Sequence, residues 1–293
     1  MNETLASTAS LGEAILAHEP VIRLAVSVFL FIAIAAWEAA APRRQWSLGR
    51  WRRWPGNLGI MALNTILLRI LFPAAAVGFA AFCQAQGWGF LNAPGVSAPL
   101  AGPLAIALSV LVLDLGIYFQ HVLFHAAPSL WRLHRMHHAD PDFDITTGSR
   151  FHPVEIILSM GIKLTLIAAF GPPAIAVLIF EILLNGVSMF NHANLKLPAG
   201  ADRFMRRFVV TPDMHRVHHS VMPSETNSNF GFCLPWWDHI FGTYKAAPAL
   251  GYEAMTLGIG QFGSARDQRL DRLLLQPFIG PAGVYPFGQR EKN

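Results

Sequence analysis

Long apolar runs separated by short polar stretches set the pattern of the chain. The first, Val21 to Glu38 (VIRLAVSVFLFIAIAAWE), is long enough to cross about 30 Å of hydrocarbon as a helix. The polar, slightly acidic stretch before it has no basic region of the kind that opens a cleaved signal peptide, so the span is expected to be retained. From Ile70 to Leu113 no charged residue occurs, and the turn-rich segment from Gln86-Gly87-Trp88-Gly89 to Pro103 divides that region. This predicts a second span over Leu58–Phe82 and a third over Pro103–Tyr118, the third continuing as a helix beyond the bilayer. Hydrophobicity returns from Ile156 to Phe190 with a break at Gly171-Pro172-Pro173. Prolines end a helix, so this stretch is two short spans or a re-entrant hairpin. The chain after Asn191 has the composition of a soluble segment, with an amphipathic helix near Ala265–Leu275. The predicted fold class is all-α, a multi-pass transmembrane helical bundle with four or five hydrophobic segments and a helical cap.

Composition sharpens this picture. With 53% hydrophobic and 14% charged residues, the chain is too apolar for an ordinary soluble, disordered or collagen-like protein. The net charge of +4 is concentrated in Arg43, Arg44, Arg50, Arg52 and Arg53 directly after the first span. That position suits a cytoplasmic anchor facing anionic headgroups, and no nucleic-acid partner is expected. Arg203, Arg206, Arg207 and Arg216 then fall on the same side by span count. The two cysteines, Cys83 and Cys233, are expected on opposite sides and unpaired. Arginine outnumbers lysine 18 to 4, which suggests a GC-rich, bacterial genome and hence an inner-membrane location. Inside the spans, Arg69 is expected to snorkel, to pair within the bundle or to meet a substrate headgroup, and Glu181 and Lys163 are expected to pair with each other.

Twelve histidines are present, and nine of them fall in four short groups. The third apolar helix ends in His121-Val-Leu-Phe-His125, followed by His134-Arg-Met-His137-His138, then His192, then His215-Arg-Val-His218-His219. On a helix, residues at i, i+3 and i+4 share a face, so these spacings aim two or three imidazoles at one point. Neutral imidazole ligates iron, zinc, copper or nickel, and two five- or six-coordinate ions together consume about eight to ten donors. One H-x-x-H-H arises by chance in about one such chain in fifty, the pair in roughly one in several thousand. Asp114, Tyr118, His121 and His125 form one stripe of the third helix. Asp114 either orients a ligand's second nitrogen or pairs with Arg69 or a polar neighbour.

These boxes resemble the fatty acid hydroxylase and sterol desaturase superfamily of membrane di-iron enzymes. Flanking segments extend the resemblance to its bacterial sterol-desaturase-like branch: Arg150-Phe-His152-Pro-Val-Glu155, Asn191-His192-Ala-Asn194, Thr211-Pro-Asp-Met-His215, Asn227-Ser-Asn229-Phe-Gly231 and Trp237-Asp238-His-Ile-Phe-Gly242-Thr243-Tyr244. The likeness spans about Leu113 to Tyr244. It implies two Fe2+ ions held by His121, His125, His134, His137, His138, His192, His215, His218 and His219, with His152, Asp114 and Asn194 as further candidates for ligands or their supports. It divides the chain into an N-terminal region with two spans (1–100), a catalytic region (101–245) and a C-terminal cytoplasmic tail (246–293).

The implied activity is hydroxylation of a lipid C–H bond with O2 and two external electrons, at a site on the cytoplasmic side. Desaturation of a sterol or acyl lipid on the same centre is the alternative, because substrate placement decides between hydroxyl rebound and loss of a second hydrogen. Arg132, Arg135, Asn194 and Asn229 are candidate headgroup contacts, each also readable as structural. No flavin, haem or iron–sulfur signature is visible in the sequence, so a separate ferredoxin or cytochrome donor is expected. Zinc is an acceptable substitute in such a site. A bis-histidine haem protein and a non-enzymatic metal carrier are the competing classes. The sequence leaves the oligomeric state open.

Overall fold

A computed structural model describes residues 12–96 and 99–287. The polar start of the chain (1–11), part of the turn-rich loop (97–98) and the end of the tail (288–293) lie outside the described residues. The fold is helical as expected. Among the described residues there is no strand, and backbone bridges form only at Pro42–Leu195 and Ser220–Leu257.

The helices that position the site are α1 (Glu19–Ala40), α2 (Arg50–Leu71), α3 (Ala75–Ala85), α4 (Pro103–Ala126), α5 (Pro128–His138), α6 (Pro153–Phe170), α7 (Ala174–Asn191), α8 (Ala199–Met205) and α9 (Pro212–His218). Among the described residues five stretches are long and apolar enough to cross a membrane: α1, the α2–α3 region, α4, α6 and α7. The expected second span is not one helix. Pro73 has no N–H to donate and its ring obstructs the preceding turn, so α2 stops at Leu71 and α3 starts at Ala75, a residue held at φ 49°. The Gly171-Pro172-Pro173 break gives two separate helices of 18 residues each, about 27 Å long. Gly171 takes φ 70° at the end of α6, and a Cβ on Gly89 would come within 2.3 Å of its nitrogen, so the loop after α3 packs directly on this turn. The core between the spans is built from Ala76, Val77 and Ala80 of α3, Leu113 and Ile117 of α4, Met160 and Ile167 of α6, and Val177, Leu178 and Phe180 of α7.

α4 runs unbroken past Tyr118 and carries His121 and His125 beyond the expected end of the span. The expected helix near Ala265–Leu275 is instead a 3-10 turn over Ala265–Gln268 and a short helix over Leu270–Leu275, broken where Arg269 is extended. Cys83 and Cys233 are free and buried.

The arginine run differs most from expectation. Of its five members only Arg52 is exposed. Arg43 pairs with Asp213 and Glu253, Arg44 donates to the carbonyls of Tyr252 and Met255, and Arg50 pairs with Glu38 at 3.1 Å. Arg53 is fully buried and grips Asp140 through both oxygens at 2.6 Å and Asp144 at 2.7 Å. Burial alone would raise the Asp140 carboxyl, yet the guanidiniums of Arg53 and Arg150 outweigh it and hold it below the usual range. Arg53 thus fastens α2 to the end of α5, and four of the five arginines are engaged within the protein. Lys163 and Glu181 do pair, at 2.8 Å, and Arg23 joins them at 2.8 Å. Arg69 lies exposed on α2 and does not reach Asp114.

Candidate metal centre

Four helices bring the histidines together. α4 supplies His121 and His125 one turn apart, and Pro128 at the start of α5 turns the chain back so that His134, His137 and His138 face them. α7 ends at His192. Thr211 caps α9 by accepting from Met214 N, and that single short helix presents His215 and His218, with His219 as the cap residue that follows it. All nine rings are buried.

They form two groups. His121, His125, His134, His138 and His218 make one, and His137, His192, His215 and His219 the other, with one ring nitrogen from each member lying within 4.8 Å of the others in its group. α5 and α9 each contribute to both groups, so the two lie side by side. The Nε2 atoms of His125 and His138, of His137 and His192, and of His192 and His215 are each 3.1 Å apart. Two ligands at right angles on one ion, each about 2.1 Å from it, would stand about 3 Å apart.

The outer nitrogens of five rings are pinned. Nδ1 of His121 lies 2.9 Å from the Phe230 carbonyl, that of His218 2.7 Å from the Ser228 carbonyl, and that of His192 2.8 Å from the Ser188 carbonyl. Nδ1 of His134 lies 2.7 Å from Glu155 Oε1, and that of His125 3.1 Å from Asn227 Oδ1. Carbonyl oxygens only accept, so His121, His125, His192 and His218 donate Nδ1–H and turn the Nε2 lone pair inward, as a ligating imidazole supported from behind does. Nε2 of His121, His134, His218 and His219, and Nδ1 of His137, His138 and His215, are buried without a hydrogen-bond partner. An unsatisfied buried polar atom costs about 1–3 kcal/mol, so the four bare Nε2 atoms make poor sense for a metal-free core and good sense as donors to metal ions, while His137, His138 and His215 turn Nε2 inward and leave Nδ1 bare on the outer side.

Aromatic rings line the walls and exclude water. Phe151 stacks on His137 at 4.5 Å, Phe143 packs on His219 at 5.0 Å, Phe230 on His125 at 5.0 Å, and Trp131 on His125 at 4.9 Å. Burial pushes His134 and His192 down to about 3. Burial, reinforced by neighbouring imidazoles, holds His137, His138, His215, His218 and His219 well below the ordinary 6.5. The rings are therefore neutral at neutral pH, the form that ligates. Between about pH 3 and pH 6.5 the unfolded chain binds more protons than the folded one, so the metal-free protein is fully stabilised above pH 6.5 and loses stability as the pH falls below it. Thermal unfolding of chelator-treated protein in detergent from pH 8 to pH 4.5 should show a midpoint that drops steeply below pH 6.5. A flat profile would contradict neutral, buried imidazoles.

Three candidates stand outside both groups. His152 caps α6, its Nδ1 accepting from Val154 N at 3.2 Å while its Nε2 faces the Leu274 carbonyl at 3.3 Å. Asp114 accepts from the backbone of Cys233 and Leu234 and from Trp237 Nε1, at 2.8–3.2 Å, which ties the cap to α4, and no histidine is among its partners. Asn194 exchanges hydrogen bonds with the backbone of Arg44. The candidate headgroup contacts are also engaged internally. Arg132 and Arg135 hold carbonyls of residues 276–281, and Asn229 bonds Met214 and Lys245. Sequence reasoning missed the supports. Glu155 was visible only as the last residue of the Arg150–Glu155 segment, and the carbonyls of Ser188, Ser228 and Phe230 leave no trace in side-chain identity.

Residues 106–243 match the family model described as fatty acid hydroxylase, the superfamily that the histidine boxes resemble. Similar curated proteins include an ornithine lipid hydroxylase from Rhizobium tropici, 27% identical over 143 residues, covering 49% of this chain and 42% of that protein. Human alkylglycerol monooxygenase is 27% identical over 154 residues, covering 50% of this chain and 32% of that protein. Human cholesterol 25-hydroxylase is 25% identical over 144 residues, covering 48% and 52%. The chain thus spans about half or less of the length of these relatives. No solved structure matches it.

Proposed function

We propose, with the fatty acid hydroxylase match of residues 106–243 as the premise, that this membrane protein is a di-iron oxygenase that hydroxylates a C–H bond of a lipid. The observation that carries this is the two groups of buried imidazoles, each with ring nitrogens within 4.8 Å of one another, and the four Nε2 atoms among them that lack a hydrogen-bond partner. His121, His125, His134, His138 and His218 would hold one iron, and His137, His192, His215 and His219 the other. Two ferrous ions held there would supply the reduction of O2 and the removal of hydrogen from an unactivated carbon. The chain's own residues would hold the ions through neutral rings, fix five of those rings from behind, and keep water out with Phe143, Phe151, Phe230 and Trp131. Zinc would fit the same nitrogens.

The relatives' names favour hydroxylation over desaturation. A haem would need two facing rings on opposite sides of a flat macrocycle, whereas these rings pack against one another at 4.4–5.5 Å. The electrons would come from a separate ferredoxin or cytochrome. Residues 101–245 would form the catalytic region, with 1–100 and 246–293 bracing it. The site would face the cytoplasm of a bacterial inner membrane, at the end of the bundle that carries the exposed Arg52.

High-resolution mass spectrometry of total lipids from iron-supplied cells, with and without the protein, tests this. A species heavier by one oxygen, about 16 mass units, is expected only with the protein. A species lighter by two hydrogens would make it a desaturase. No new species under aerobic, iron-replete conditions would count against lipid oxidation.

A further inference from the structure

Outside the matched segment, residues 276–287 cross the outer face of α5 as a strap. Arg132 donates to the carbonyls of Pro277 and Gly280 at 2.8 and 2.9 Å, and Arg135 to those of Gln276, Ile279 and Pro281. Trp131 Nε1 donates to the Ala282 carbonyl at 2.9 Å. Tyr285 lays its ring 5.3 Å from Trp131 and donates its hydroxyl to the Val221 carbonyl at 3.1 Å. Its own carbonyl accepts from Asn227 Nδ2 at 2.7 Å, and the other end of that amide, Oδ1, faces His125 Nδ1 at 3.1 Å.

A side-chain amide has a donor end and an acceptor end of almost the same shape, so its direction is set by whichever neighbour cannot change role. The Tyr285 carbonyl can only accept. It holds the NH2 group toward the strap and the oxygen toward His125. An oxygen there requires the proton on Nδ1 and leaves Nε2 as a lone pair facing His138. With the amide reversed, NH2 would face Nδ1, the proton would sit on Nε2, and the ring would offer the site an N–H. His121, His192 and His218 have no such freedom, because their outer partners are backbone carbonyls. We infer that Asn227 is a positioning residue that selects the metal-binding tautomer of His125, and that the C-terminal strap sets it through the Tyr285 carbonyl. This rests on the five-histidine group being a metal site.

Cobalt binding to chelator-treated, full-length protein in detergent is the test, with equivalents counted by elemental analysis and followed by visible absorption. The wild type should bind two. Asn227→Leu removes both amide bonds. Gly283→Val displaces the strap, because Gly283 sits at φ 80° with its Cβ direction 3.3 Å from the Tyr285 ring. In each, one equivalent should bind at least about tenfold more weakly while the other is unchanged. Combining Asn227→Asp with Gly283→Val should restore the second equivalent, since a carboxylate accepts from Nδ1–H with either oxygen and needs no strap. That rescue still decides if Asn227→Leu misfolds and loses both equivalents. Two full-affinity equivalents in Gly283→Val, or no rescue by Asn227→Asp, would overturn the assignment. A wild type that binds no cobalt would overturn the metal-centre reading itself, and this assignment with it.

Discussion

His218→Ala and His137→Ala, one change in each histidine group, should each lower lipid oxidation by at least about a thousandfold, equivalent to about 4 kcal/mol of lost transition-state stabilisation. Each removes one inward nitrogen from a set of five or four, and a methyl group offers no replacement donor. Both variants should still insert, because insertion is driven by the apolar faces of α1 to α4, α6 and α7, which neither ring belongs to. The measurement is the oxidised lipid relative to protein in the membrane fraction. Equal losses in the two variants would mean that both groups are needed for one reaction. Full activity in both would end the metal-site reading.

The second large effect is on stability. Arg53→Met leaves Asp140 and Asp144 buried with Arg150 as the nearest cation, 3.7 Å from Asp140. Removing one partner of a buried ion pair costs about 3–5 kcal/mol, mostly because the other charge is stranded. Asp140 follows His138 by two residues, so the loss should also loosen the end of α5 and weaken metal binding. Thermal unfolding of purified Arg53→Met should show a markedly lower midpoint than Arg52→Met, which removes an exposed arginine beside it. Equal midpoints would mean that the buried cluster adds nothing.

These two cases also mark what the sequence makes legible. The histidine groups could be found because helical spacing is a local property: rings at i, i+3 and i+4 meet whatever the rest of the fold does. The fate of the arginine run could not, because Arg53 and Asp140 are far apart in the chain and only packing shows that they touch. A basic run after a span is the usual mark of a membrane surface, and here the acidic segment Asp140–Asp144 buries its key member. Pro73 was within reach of the sequence, since a proline between two apolar stretches ends a helix, but the uncharged run around it suggested continuity. Asp114 shared a stripe with two histidines, yet a stripe does not say at what height each neighbour sits, and at its height it meets Trp237. The strap carbonyls held by Arg132 and Arg135 belong to backbone, so no residue type announced them.

Because α4 passes without interruption from apolar surroundings into the histidines, it works as a ruler. His121 and His125 stand three and seven residues past Tyr118, about 5 to 10 Å along the axis. A rigid rod of fixed pitch would set the height of the proposed metal centre above the edge of the oily layer. Regiochemistry would then be a matter of elevation. On the proposed reading, a lipid would be oxidised at whichever carbon its own anchoring depth lifts to that level, so molecules with different tails but the same seating would be attacked at the same distance from their polar end.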